Sequence, residues 1–202
     1  MSFRKLSIIA GVSYLIIFFS AIFANFFVIE SILQDPLATV LEDGMLVRFG
    51  TIAFMITVIF DVVVAWALYE MFKNNILSGL STLFRMMHAA IMGAAIFALP
   101  LAVQATTEQE ILHQIDVFNI LWLIGLFFFG IHLILVGRIL GKPKFITIFL
   151  TIAGVMYMVD TSAHFLMPNY SDYKDIFLAM VAIPSIFGEM ALSIWLLAKG
   201  GK

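Results

Sequence analysis

The chain has 202 residues, of which 63% are hydrophobic and 12% charged. A soluble domain is about half apolar and about a quarter charged, so a water-soluble fold of this size could not cover its own apolar surface. A net charge of −2 with no basic tract argues against a nucleic-acid partner, and the absence of cysteine excludes disulfides, Cys-ligated zinc, iron–sulfur clusters and thiol nucleophiles.

Six long apolar runs occupy most of the chain. A membrane-crossing helix needs about 20 such residues, and the runs predict spans near 6–29, 46–70, 80–103, 115–138, 144–166 and 177–198. Together they predict an all-α bundle of six transmembrane helices forming one polytopic domain over 1–202. Arg4–Lys5 before an apolar run resembles the start of a signal peptide. The run from Leu6 to Ile29 is too long for a signal core, and no small-x-small cleavage site follows, so it reads as an uncleaved first span.

The joints carry helix punctuation. Asp35–Pro36 starts a short interfacial helix through Leu37, Val40 and Leu41, which Gly44 ends. Asn74–Asn75 closes the second span and Ser78 is placed to cap the third. Thr107 and Glu110 have capping-box spacing, which starts the fourth helix outside the membrane. Gly141 and Pro143 separate the fourth helix from the fifth, and Pro168–Asn169 with Ser171 marks the last turn.

Basic residues predict the orientation. Arg4, Lys5, Lys73, Arg85, Arg138, Lys142, Lys144, Lys199 and Lys202 fall on one side, and only Arg48 and Lys174 on the other. The pattern predicts a multi-pass protein of a bacterial cytoplasmic (inner) membrane with both termini cytoplasmic. The lipid bilayer is the expected partner. A small-molecule or lipid ligand and a homo-oligomer are compatible with so little loop.

Ionisable groups inside a bilayer cost several kcal/mol unless paired or hydrated, and they mark functional sites. Helical spacing sorts them into faces. Arg85 and His88 share one side of the third helix. Tyr157, Asp160 and His164 share a face of the fifth, and Ser185, Glu189 and Ser193 are successive i, i+4 neighbours on the sixth. Tyr14 and Asn25 lie on the polar stripe of the first. Gly130, Gly137 and Gly141 form a stripe suited to close packing, with His132 on another side of that helix beside Gly125. Asp61 and Asp160 fall at similar points of the second and fifth spans, yet no convincing internal repeat accompanies them.

Counted at about 1.5 Å per residue, two groups emerge. Asp61, Arg85, His88, His132 and Glu189 form a predicted inner cluster. Asn25, Asn119, Asp160 and His164 form an outer polar group, with Asp116 and Arg48 at its rim. Two carboxylates, one Arg and two His cannot all be charged cheaply in low dielectric, which suits proton relay or binding of a small polar or cationic ligand. In this reading Asp61 and Glu189 are switchable acids, Arg85 their counter-charge, and His88 and His132 relay groups.

The alternatives use the same residues. His88, His132 and Glu189 are acceptable metal ligands, and two histidines at similar depth could hold haem b, although no HExxH spacing is present and nothing in the sequence requires a cofactor. Arg85 is long enough to snorkel to the headgroups, and the cluster would then serve packing alone, as in an accessory or structural membrane protein. Soluble-enzyme signatures such as GxSxG are absent.

Motifs spread over nearly the whole chain resemble a bacterial family of small integral membrane proteins, DUF4386. They are Arg4–Lys5 before Gly11 and Tyr14; Asp61 with Ala67–Leu68–Tyr69; Leu83–Phe84–Arg85; Phe129–Gly130–Ile131–His132 with Gly137; Gly154 and Tyr157 with Asp160; and Gly188–Glu189 running into Trp195–Leu196–Leu197 and Lys199–Gly200. The resemblance implies a bundle of about six helices and no particular activity.

Overall fold

In a computed structural model, which describes residues 1–200, every regular element is helical. Six helices are long and apolar enough to cross a membrane: α1 Phe3–Gln34, α2 Gly44–Phe72, α3 Ile76–Gln104, α4 Glu108–Leu140, α5 Lys144–Leu166 and α6 Tyr170–Ala198. Helices are the outcome these runs require, because hydrocarbon offers the backbone no hydrogen-bond partners. The chain is therefore a multi-pass membrane protein whose exposed apolar faces contact lipid.

Caps and prolines set the boundaries. Asn75 rather than Ser78 caps α3, its side chain accepting from the Leu77 amide at 3.0 Å; Ser78 is buried. Thr107 and Glu110 close the predicted capping box, each side chain accepting from the other's amide at 3.3 Å. With 33 residues, α4 reaches about 50 Å and extends beyond the hydrocarbon. Pro100 cannot donate to the Ile96 carbonyl, and α3 breaks there. The freed carbonyl takes the Leu99 amide instead, at 3.1 Å. Gly141, at φ 64°, ends α4 in a conformation only glycine adopts freely.

The first connection departs from expectation. α1 does not stop near Ile29 but passes through a π-helical stretch, Phe23–Ile29, and runs on to Gln34. Asp35 then accepts from the Ala38 amide at 3.1 Å, and the short segment Ala38–Glu42 winds as a π-helical turn. Gly44 opens α2 rather than closing the short segment.

Each span packs against its neighbours in the chain, and α6 returns to α1, closing a ring. The closure lies at the end that holds both chain ends. Arg4 donates to the carbonyls of Leu196, Leu197 and Gly200 at 3.0, 2.5 and 3.0 Å. Ser7 donates to Leu196 at 2.6 Å, and Ser193 returns a bond to the Gly11 carbonyl at 2.9 Å. The α4–α5 seam is tight: a Cβ on Gly130 or Gly154 would collide with the other's carbonyl, and one on Gly137 would meet Thr151. Gly141 does not join this stripe and faces open space.

Two apolar cores fill the ring. One, at the far end, joins Ala24 and Val28 to Phe54, Leu99, Ile115 and Phe118. The other, toward the chain ends, joins Leu6, Val64, Leu68, Phe129, Leu133, Leu150 and Leu196. Along α2, Asp61 falls in the gap between Phe54 of the first and Val64 of the second, and a polar layer occupies that level.

Candidate functional site

The polar layer is built around Arg85, which does not snorkel and is only 1% exposed. One terminal nitrogen donates to Asp61 Oδ1 at 2.5 Å. The other donates to the Tyr14 hydroxyl at 2.9 Å and meets His132 Nε2 at 3.1 Å. The guanidinium carbon lies 4.9 Å from the Tyr14 ring centre and 5.3 Å from that of Phe129, within cation–π range. Among the described residues the Nε–H of Arg85 has no partner.

These contacts assign the histidine protons. A guanidinium has no lone pair to offer, so His132 Nε2 must accept. Its proton therefore sits on Nδ1, 3.0 Å from the Ser81 carbonyl and 2.9 Å from the Ser81 hydroxyl. His132 is a neutral, fully bonded imidazole. In His88, Nδ1 faces the Gly125 carbonyl at 3.0 Å and must donate to it. Its Nε2 lies 3.5 Å from Asp61 Oδ2, longer than an ordinary hydrogen bond. Asp61 thus stands between two bases, bonded to Arg85 and close to His88.

Ser78, Ser81, Arg85 and His88 form one stripe of α3, all buried. They meet α1 through Tyr14, α2 through Asp61 and α4 through His132 and Gly125. Phe129 is the apolar floor: its ring lies 4.7 Å from His88, 5.8 Å from His132 and 5.6 Å from Tyr157.

Glu189 does not join Arg85. Ser185 donates to Glu189 Oε1 at 2.6 Å, and the Tyr157 hydroxyl lies 2.9 Å from Ser185 Oγ. Asp61, Arg85, His88 and His132 come together, while Glu189 heads a separate chain with Ser185 and Tyr157 across the Phe129 ring. Every span contributes a polar side chain to this level: Tyr14, Asp61, Arg85, His132, Tyr157 and Glu189 in ring order.

The outer group does not assemble as predicted. Asp160 accepts from the Tyr170 hydroxyl at 2.7 Å, and the His164 ring meets the Tyr170 ring edge-on at 4.8 Å, so Tyr170 bridges the two. Asn25 donates to its own helix, to Ala21 at 2.9 Å. Asn119 is half-buried on α4, and Asp116 and Arg48 are exposed.

The family model for DUF4386, described as a domain of unknown function, matches residues 9–200. The chain belongs to the DUF4386 family. It is also similar to a protein of Archaeoglobus fulgidus described as an uncharacterized protein, 29% identical over 160 residues that cover 76% of this chain and 85% of that one. No solved structure matches.

In this DUF4386 protein the candidate metal ligands do not form a set. His132 has both nitrogens committed, His88 turns Nε2 to Asp61, and Glu189 lies in the Ser185 chain. No three His, Asp or Glu side chains among the described residues are placed to share an ion. Nor is there a slot for haem between the two imidazoles, because the Phe129 ring packs against both. The layer is closely packed, with Asp61, Arg85, His88 and His132 all buried. Beside it lies a void of about 10 Å³ between Tyr69, Ser78, Ser81, Thr82 and His132, room for one water at most.

Sequence reasoning missed Tyr14 and Phe129 as members of the polar layer, and Ser81 as the partner of His132. Ser81 had a usable signal, because Ser78, Ser81, Arg85 and His88 repeat at helical spacing. Tyr14 had only its place on a polar stripe, and Phe129 is one of 21 phenylalanines.

Proposed function

We propose that this membrane protein binds and releases a proton at the Asp61–His88 pair, with Arg85 as the fixed counter-charge. The observation that carries the reading is the Asp61 carboxylate, bonded to Arg85 through one oxygen and facing His88 through the other. With Nδ1 held as a donor by Gly125, an added proton goes to Nε2 and turns it into a second donor aimed at Asp61. Arg85 keeps Oδ1 and His88 takes Oδ2, so that one buried carboxylate faces two cations. That uncompensated second positive charge biases the layer toward another arrangement, and it gives a proton, or a small ligand replacing it, a means to loosen the ring. His132 is the positioning residue that keeps Arg85 in place.

The distribution of basic residues supports cytoplasmic chain ends. Arg4, Lys5, Lys73, Arg138, Lys142, Lys144 and Lys199 belong to the end that holds them, against Arg48 and Lys174 at the other. Arg85 drops out of the count because it lies in the core, and Lys202 lies outside the described residues. The void beside His132 borders Tyr69 and Phe72 at the close of α2 and Ser78 at the start of α3, so access to the layer is shortest from the cytoplasmic side.

The test is proton uptake by the purified protein in nanodiscs, read with a pH dye as acid is added. The wild type takes up more protons than His88→Gln, which incorporates normally. Equal uptake with and without the substitution overturns the role of His88.

The filled layer favours a second reading, in which the cluster only fixes helix packing. Replacing Asp61 and Arg85 together by Leu and Met would then leave every measurable activity intact, whereas the proton reading requires its loss.

A further inference from the structure

Beyond the Arg85 layer, the structure assigns a second site, at Glu189, for a lipophilic organic cation that enters sideways from the membrane. Three observations converge on it.

The first is the direction of the hydrogen bonds. Ser185 has one hydroxyl proton and gives it to Glu189 Oε1 at 2.6 Å. Tyr157, 2.9 Å from Ser185 Oγ, must then be the donor to Ser185. Two hydroxyls in series point at the carboxylate, donors that suit the anion a bound cation would hold there. Glu189 has no cation within ion-pair distance among the described residues, whereas the charge of Arg85 is met by Asp61.

The second is that the carboxylate is not sealed. Among the described residues Oε2 of Glu189 has no hydrogen-bond partner, and the residue is only partly buried. A carboxylate oxygen open at this depth of a lipid-embedded bundle calls for a positive partner.

The third is the route. The α1–α6 seam is closed by Arg4, Ser7 and Gly11 against Ser193, Leu196 and Leu197. Glu189 lies one turn beyond Ser193. Past that point the seam has no tight packing: none of residues 15–23 of α1 and none of residues 174–180 of α6 is buried. Pro184, five residues before Glu189, leaves the Met180 carbonyl without its helical donor. On its other side the far half of α6 leaves an open apolar groove of about 610 Å³ against α5. The near half is fixed, because Gly188 packs directly on the α5 backbone at Leu150. An approach through the α1–α6 seam is apolar and ends on one carboxylate linked through Ser185 to the Tyr157 ring. Those are the elements that recognise a bulky monovalent cation.

The experiment is equilibrium binding of radiolabelled tetraphenylphosphonium to the protein in nanodiscs, with empty nanodiscs subtracted. Saturable binding at one per chain is expected. Glu189→Gln should weaken it by at least roughly tenfold and Tyr157→Phe by severalfold, as loss of a charge partner and of its supporting donor would. His88→Gln and Asp175→Asn should retain it within about twofold. Thermal melting of each variant shows that it is folded. Retention in His88→Gln keeps this site separable from the proton reading. Binding that survives Glu189→Gln, that is lost instead with Asp175→Asn at the groove rim, or that is only the partition seen in empty nanodiscs overturns the assignment.

Discussion

Arg85 and Asp61 form a salt bridge of 2.5 Å at the centre of a membrane bundle, their side chains only 1% and 7% exposed. Removing one partner leaves an uncompensated buried charge, which costs about 3–5 kcal/mol. Asp61→Asn and Arg85→Gln should each lower the thermal midpoint in detergent strongly. The combined Asp61→Leu, Arg85→Met protein should lose less than the sum of the two. Additive losses would mean that the two residues do not act as a pair.

The α4–α5 seam depends on the absence of side chains. At Gly130 and Gly154 a methyl group would displace the facing carbonyl, and overpacking of this kind costs about 1–3 kcal/mol. Gly154→Ala should therefore destabilise clearly, whereas Gly79→Ala, where a Cβ meets nothing, should be neutral or slightly stabilising in its helix. Melting curves of the two variants, measured in parallel, check the contrast.

Ring closure rests on Arg4. Its guanidinium caps three carbonyls at the end of α6, where a positive charge also opposes the helix dipole. Arg4→Ala should cost about 1–3 kcal/mol and should speed proteolytic trimming at the close of α6. Arg4→Lys should recover part of the loss, since one ammonium cannot reach three carbonyls in a fixed fork. Equal trimming rates in all three proteins would remove Arg4 from the closure.

Thr107→Ala breaks the capping box that starts α4 and should cost about 1 kcal/mol. Because the box lies beyond the apolar core, hydrogen exchange should rise in the first turn of α4 and stay unchanged around His132.

The spans and the polar faces were legible because each is a property of one helix: length and apolarity mark a span, and 3.6-residue spacing marks a face. The predicted convergence of Asp61, Arg85, His88 and His132 needed only that α2, α3 and α4 be neighbours, which short connections enforce. Glu189 and the outer group needed more. Similar depth does not make two residues neighbours, and the ring order puts α6 beside α1 and α5, away from α3. Glu189 consequently pairs with Ser185 and Tyr157, while Asn25 on α1 is remote from Asp160 on α5. Tyr170, which captures Asp160, lies in a 3₁₀ turn that no periodicity announces. The π-helical stretch of α1 was equally unreadable, because its residues look like any apolar span.

The most direct test of the proton switch is the ring-nitrogen spectrum of His88 in ¹⁵N-histidine-labelled protein, assigned with His88→Gln and followed as the pH is lowered. The expected result is one tautomer, protonated at Nδ1, that gains a proton on Nε2 while His132 keeps its Nδ1–H form, with the His88 transition displaced in Asp61→Asn. A His88 signal that never changes, or that titrates identically without the Asp61 carboxylate, would contradict it.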